Sequence, residues 1–162
     1  MGNYACLSHR KNLCCKHIQS TKTFTSRNTG ETLNILHSLN CRSLNTIYLG
    51  ECALGCPNAQ YVGKSEPPAH LRINTHRSDV TEPKGGAFDH HFALPGHNFN
   101  EHVRFTLIKQ VGDHRHNTKL QNRRLLEARE DYWMTRLKTI KPHGFNDGLN
   151  NPVSSRIHGI CT

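Results

Sequence analysis

The chain has 162 residues, with 21 Lys and Arg against 12 Asp and Glu, and a formal charge of +9 at neutral pH before its 13 His are counted. That length suggests one domain with tails, and a hydrophobic content of 35% restricts the compact core to about two-thirds of the chain. No run of about 18 apolar residues is present, which excludes a membrane-spanning helix. The positive charge points to a polyanionic partner, nucleic acid foremost, with simple solubility the alternative.

Residues 1–45 are polar, rich in Ser, Thr and Asn, and carry Cys6, Cys14, Cys15, His17 and Cys41. No apolar run marks a leader in the first twenty residues. The seven cysteines are therefore expected as reduced thiols or metal ligands rather than a disulfide framework. Periodicity is weak here, except that Thr32 to Leu39 suits a short strand or a turn of helix. The stretch reads as a loosely ordered arm with exposed thiols. A second metal site on it is the lesser alternative, because the Cys6 to Cys14 spacing is wide.

Thr46 to Gly63, TIYLGECALGCPNAQYVG, has the pattern of two strands joined by a cysteine-bearing loop. Tyr48 and Tyr61 lie one on each strand and are able to face one side. Pro67 and Pro68 suit a helix start, and a helix is expected over 69–80. It places Arg72 and His76, four apart, on one face; a solvated basic face is the alternative. After Lys84-Gly85-Gly86, a short helix is expected over 87–94, and then a third strand over 103–111. The longest helix is expected over 119–139, with Leu125, Leu126, Trp133, Met134 and Leu137 as its core stripe. A turn follows at Gly144 to Gly148, and the tail from Asn150 reads as frayed. The predicted fold class is α+β: a small three-stranded antiparallel sheet flanked by helices in the order β-β-α-α-β-α. The domains are an arm at 1–45, a core at 46–150 and a tail at 151–162.

Cys52-x3-Cys56 is an acceptable zinc half-site, and His91-x5-His97 an acceptable second half. Together they predict a structural Zn²⁺ clamp tying the hairpin loop to the short helix. His90 is the competing ligand, and its side chain should point away from that of His91. Two free cysteines and two unrelated histidines are the alternative.

These residues, taken in order, are similar to the GIY-YIG endonucleases. The likeness lies in Thr46-Ile47-Tyr48, Tyr61-Val62-Gly63, Arg72 with His76, Glu130 in E-D-Y-W, and Asn146 in G-F-N, and spans about residues 46–150. The intervening cysteines, H-R-S-D, the H-F and G-H pair and N-C-x-S-x-N resemble more narrowly the endonuclease domain of Penelope-like retroelements. Thr46 stands where that family usually has Gly.

The resemblance implies a Mg²⁺-dependent (or Mn²⁺-dependent) DNA endonuclease serving target-site cleavage, with a reverse transcriptase as partner domain and an intracellular, nuclear setting. It implies a single catalytic ion held by Glu130, Arg72 on the phosphate, and Tyr48 as general base. The phenol of Tyr48 would then need its pKa lowered by cations. Tyr61, His76 and Lys64 would supply hydrogen bonds or positive field, and Asn146 would orient the phosphate or close the site. Lys64, Arg72 and Arg77 are the expected DNA contacts. The alternatives are a catalytically inactive, zinc-stabilised nucleic-acid-binding module, and a structural repair or scaffold subunit built on the same core.

Overall fold

The alternation over Thr46 to Gly63 folds as an antiparallel hairpin, and a third strand on its other edge completes a sheet. The computed structural model describes residues 1–4, 14–112 and 116–152. In chain order these form β1 (Gly2–Asn3), a 3-10 turn (Cys15–His17), β2 (Thr23–Thr25), β3 (Thr32–Asn34), β4 (Ser38–Leu39), β5 (Thr46–Cys52) and β6 (Gln60–Ser65). There follow α1 (Ala69–Asp79), α2 (Ala87–His91), α3 (Phe99–His102), β7 (Val103–Gln110) and α4 (Lys119–Leu137).

The main sheet has the order β6-β5-β7, antiparallel throughout. β5 is central, so both of its edges are paired. Ile47, Tyr48 and Leu49 are all buried, as a strand covered on both faces requires. The register against β7 shifts between Ile47 and Tyr48, which pair with Lys109 and Leu107. An irregularity of this kind bends a strand and re-aims its side chains, and it falls at Tyr48. Gly63 lies opposite Tyr48 on β6. A Cβ there would come within 2.4 Å of the Tyr48 hydroxyl and 2.7 Å of the Tyr61 ring. The glycine of Y-V-G is thus the space in which the two tyrosines pack.

α1 starts behind Pro68 and buries Ala69, Ile73 and His76. α4 opens on a reciprocal cap between Thr118 and Gln121 and ends at Lys138 in the left-handed region, φ 52°. Leu126, Met134 and Leu137 face the core as expected. Leu125 instead points outward, 44% exposed, and Trp133 is only partly buried, edge-on to Phe24. The inward face also carries Glu130 and Asp131. α3, four residues long, was not foreseen.

Residues 14–45 correct the expectation of a loose arm with exposed thiols. Cys14, Cys15, Phe24, Ile35, Leu39 and Cys41 are all buried in the common core. β2 pairs with β3 and β1 with β4. Ser26 Oγ donates to the carbonyl of Leu137 at the end of α4 (2.8 Å), and the carbonyl of Phe105 on β7 accepts from Gln19 (2.8 Å). Cys41 is disulfide-bonded, against the expectation of reduced thiols, whereas Cys14, Cys15, Cys52 and Cys56 are free. Cys6 and Cys161 lie outside the described residues. At the other end Asn150 and Asn151 are not frayed: their backbone N–H groups donate to Asp131 (2.8 and 2.9 Å). No described helix is long and apolar enough to cross a membrane.

Candidate active site and metal centre

Two clusters of polar side chains meet at α2. The first joins the β5–β6 loop to the segment that follows α2. Ligand-capable atoms of Cys52, Cys56, His91 and His97 all lie within 4.8 Å of one another, so the four could hold a metal ion. Cys52 Sγ is 3.8 Å from Cys56 Sγ, and Cys56 Sγ is 3.2 Å from His97 Nε2. His91 Nε2 is buried without a hydrogen-bond partner. The orphaned ring nitrogen of His91, the imidazole of His97 and two thiols are the four-donor set of a closed tetrahedral site. Burial lowers the pKa of His91, with His97 adding to the effect, so its ring is neutral and ready to ligate. Burial raises that of the Cys52 thiol, and Cys56 adds to it; a bound cation would reverse that effect. His90 takes no part: its Nε2 lies 3.2 Å from the carbonyl oxygen of Glu82.

The second cluster lines a cleft of about 330 Å³ between β6, α1, α2 and α4. Tyr61, Lys64, Arg72, Asp89, Glu130, Asn146 and Asn150 reach it. Tyr48 lies behind Tyr61, ring centroids 6.3 Å apart, and is 1% exposed. Arg72 lies one turn before His76 on α1 and lines the cleft with Tyr61, and both tyrosines feel its charge. Burial disfavours the Arg72 charge, but the two phenol oxygens hold its pKa above the usual range.

The electrostatics depart from expectation at Tyr48. Burial raises its phenol well above the ordinary value, Tyr61 adds to this, and Arg72 only partly offsets it. Tyr61 is raised as well, by burial and then by Glu130. Neither phenol is ionised at neutral pH.

Glu130, 6% exposed, faces the cleft from α4. Its Oε2 accepts from Lys64 Nζ at 2.5 Å and from Asn150 Nδ2 at 2.6 Å. Lys64, expected beside the tyrosines, is therefore the counter-ion of Glu130.

Asn146 lines the cleft but is committed to the fold. Its Oδ1 accepts from the Val62 N–H (2.9 Å) and from Thr139 Oγ1 (2.7 Å), and its Nδ2 donates to the Val62 carbonyl (2.8 Å). It pins the last turn to β6 with its oxygen and one of its two N–H donors. Arg77, expected to contact DNA, does not line the cleft. Its Nε and one terminal nitrogen are buried, and its charge is felt by Cys14 and His17.

Sequence reasoning missed Asp89 and Asn150. Asp89, 4% exposed, sits on α2 between Phe88 and His90 and accepts from His76 Nδ1 at 2.6 Å. A short polar residue three positions past Gly86 at a helix start was the one local signal for it. Asn150 had none.

Compared with protein-family models, with curated proteins and with solved structures, the chain matches none.

Proposed function

We propose that this chain is a metal-dependent DNA endonuclease of GIY-YIG type, its hairpin held by a structural Zn²⁺. The observation that carries the reading is the juxtaposition of a packed tyrosine pair, one of them lining the cleft, with an arginine and a carboxylate in the same cleft. Phosphodiester hydrolysis asks for those three things: a route for the proton of the attacking water, a cation on the phosphate, and an oxygen ligand for a divalent ion. The likeness of T-I-Y, Y-V-G, R-x3-H, E and G-F-N to that family supports the same assignment.

Arg72 takes the phosphate, because its guanidinium offers paired donors to two oxygens in a partly desolvated cleft. Lys64 adds a second positive charge at the cleft. Tyr48 and Tyr61 remain neutral phenols, hydrogen-bonding rather than electrostatic groups. Glu130 would hold the Mg²⁺, and the fit is chemical: a cleft-facing carboxylate beside the amide of Asn150 gives hard oxygens of the kind Mg²⁺ takes. When bound, the ion would neutralise the charge that develops on the phosphate and the leaving oxygen. Cys52, Cys56, His91 and His97 would hold Zn²⁺, whose preference for thiolate and imidazole matches that cluster.

The deciding experiment is plasmid relaxation by the purified protein with Mg²⁺, beside EDTA and Glu130→Ala controls. Nicking that needs Mg²⁺ and Glu130 supports the reading. A folded, zinc-loaded protein that binds DNA and cuts none points to a nucleic-acid-binding module. The contacts of Lys64 and Asn150 on Glu130 favour that second reading, because they occupy the carboxylate.

A further inference from the structure

Behind the cleft lies a chain of buried polar groups. Tyr48 Oη is 2.6 Å from His76 Nε2, and His76 Nδ1 is 2.6 Å from Asp89 Oδ1. The other oxygen of Asp89 accepts from the Gly86 N–H at 3.1 Å. Tyr48, His76 and Asp89 are 1%, 1% and 4% exposed. The imidazole stacks on Phe105 and meets Tyr48, Tyr61 and Phe88 edge-on, so its plane is fixed.

The chemistry of the end group sets the direction of the chain. A carboxylate only accepts, so the hydrogen of a neutral His76 sits on Nδ1. Nε2 then presents its lone pair, and the Tyr48 hydroxyl must donate to it. The opposite tautomer would set two lone pairs against each other between the buried His76 and Asp89.

We infer that Asp89 is a positioning residue that fixes the tautomer of His76, and that His76, reached through Tyr48, is the terminal proton acceptor in phosphodiester hydrolysis. The inference rests on the nuclease reading. As the oxygen of the attacking water bonds to phosphorus, its O–H bond breaks and the proton is relayed to the buried Tyr48 oxygen through the hydroxyl of Tyr61, which lines the cleft and gives up its own proton as it takes that of the water. In the same event the Tyr48 O–H bond breaks and a proton bonds to Nε2. The P–O bond to the leaving oxygen breaks, and that oxygen takes a proton from solvent. His76 is left as an imidazolium, with its Nδ1–H still on Asp89, and later returns its proton to solvent. No free phenolate forms. That removes the difficulty of a tyrosine raised far above neutrality, while burial keeps His76 unprotonated and ready to accept.

Two measurements on the full-length, metal-loaded protein test this. The first is the ¹⁵N spectrum of His76 in the wild-type protein. A protonated Nδ1 with a bare Nε2 is expected; a protonated Nε2 overturns the inference without any variant. The second is Asp89→Asn. An amide at this position satisfies the Gly86 N–H only by turning its NH₂ toward His76, which reverses the tautomer. Cleavage kcat is expected to fall ~100-fold or more, with KM changed less than threefold and metal content retained. A kcat within threefold of wild type, or a loss carried by KM, overturns it. Wild-type protein that shows the Nδ1–H tautomer yet cuts no DNA overturns the nuclease reading, and with it the role of the chain in hydrolysis.

Discussion

Lys64 on β6 and Glu130 on α4 are 66 positions apart and meet at 2.5 Å in the cleft. The contact ties a helix to the sheet edge and neutralises a carboxylate that is 6% exposed. It also competes with any cation for that carboxylate. Lys64→Met should therefore tighten Mn²⁺ binding in the absence of DNA, by about threefold to tenfold, read from the loss of the free-ion EPR signal. Glu130→Gln should weaken Mn²⁺ binding in the same assay and lower Mg²⁺-dependent nicking ~1,000-fold, with gel-shift affinity for DNA kept. Equal Mn²⁺ affinity in all three proteins would remove Glu130 as the ion's ligand.

Metal removal should act through the hairpin. The cluster joins residues 41 positions apart, Cys56 and His97, around a loop that is otherwise turn. One Zn²⁺ per chain is expected by elemental analysis. Cys52→Ser, or chelation, should lower Tm by about 10 °C or more. A variant that melts with the wild type shows that nothing is bound there.

Asn146 should behave as a structural residue. Asn146→Ala removes a side chain that makes three buried hydrogen bonds and leaves the Val62 N–H and carbonyl unpaired. A loss of about 2–4 kcal/mol in urea unfolding is expected. A variant of normal stability with abolished cleavage would return Asn146 to the chemistry.

His17 should give the fold a pH dependence. It is 3% exposed, its Nε2 has no partner, and burial, followed by the charges of Lys16 and Arg77, lowers its pKa to about 4. Its folded pKa lies below the unfolded value, so the unfolded chain takes the proton first as pH falls. The contribution is whole above pH ~6.5 and lost progressively down to about pH 4, on the order of 3 kcal/mol. His17→Leu should flatten the stability profile in that window, measured by urea unfolding at pH 7, 5.5 and 4. An unchanged slope would mean that His17 is not buried in neutral form.

How much of this was legible in the sequence divides by the length of the pattern. The hairpin strands, α1, β7 and α4 each run for six residues or more, and each was foreseen within a few residues. The packing of 14–45 was not. β1 to β4 are two or three residues long, too short to show a period, and their few apolar anchors, Phe24, Ile35 and Leu39, read as scattered until the main sheet is present to receive them. At the site, residue types could be read off but environments could not. Tyr48 was identified as chemistry-bearing, yet the lowered pKa that a role as general base would need is not what its surroundings give, because burial on both faces of β5 outweighs the nearby arginine. Asp89 was invisible because only the placement of α2 beside α1 brings it to His76. Asn146 carried a motif-like signal whose geometry turns out to serve the backbone of β6.

α2 is five residues long, far below what holds a helix together in water unaided. It is kept in place by what grips it at each end: the hydrogen bonds of Asp89 on one side, and the thiol–imidazole cluster through His91 on the other. An oxidant or alkylating reagent that takes Cys52 or Cys56 would thus loosen the seat of Asp89 from the far side. The protein would carry a sensitivity to thiol chemistry in the proposed proton path, although no described cysteine lines the cleft.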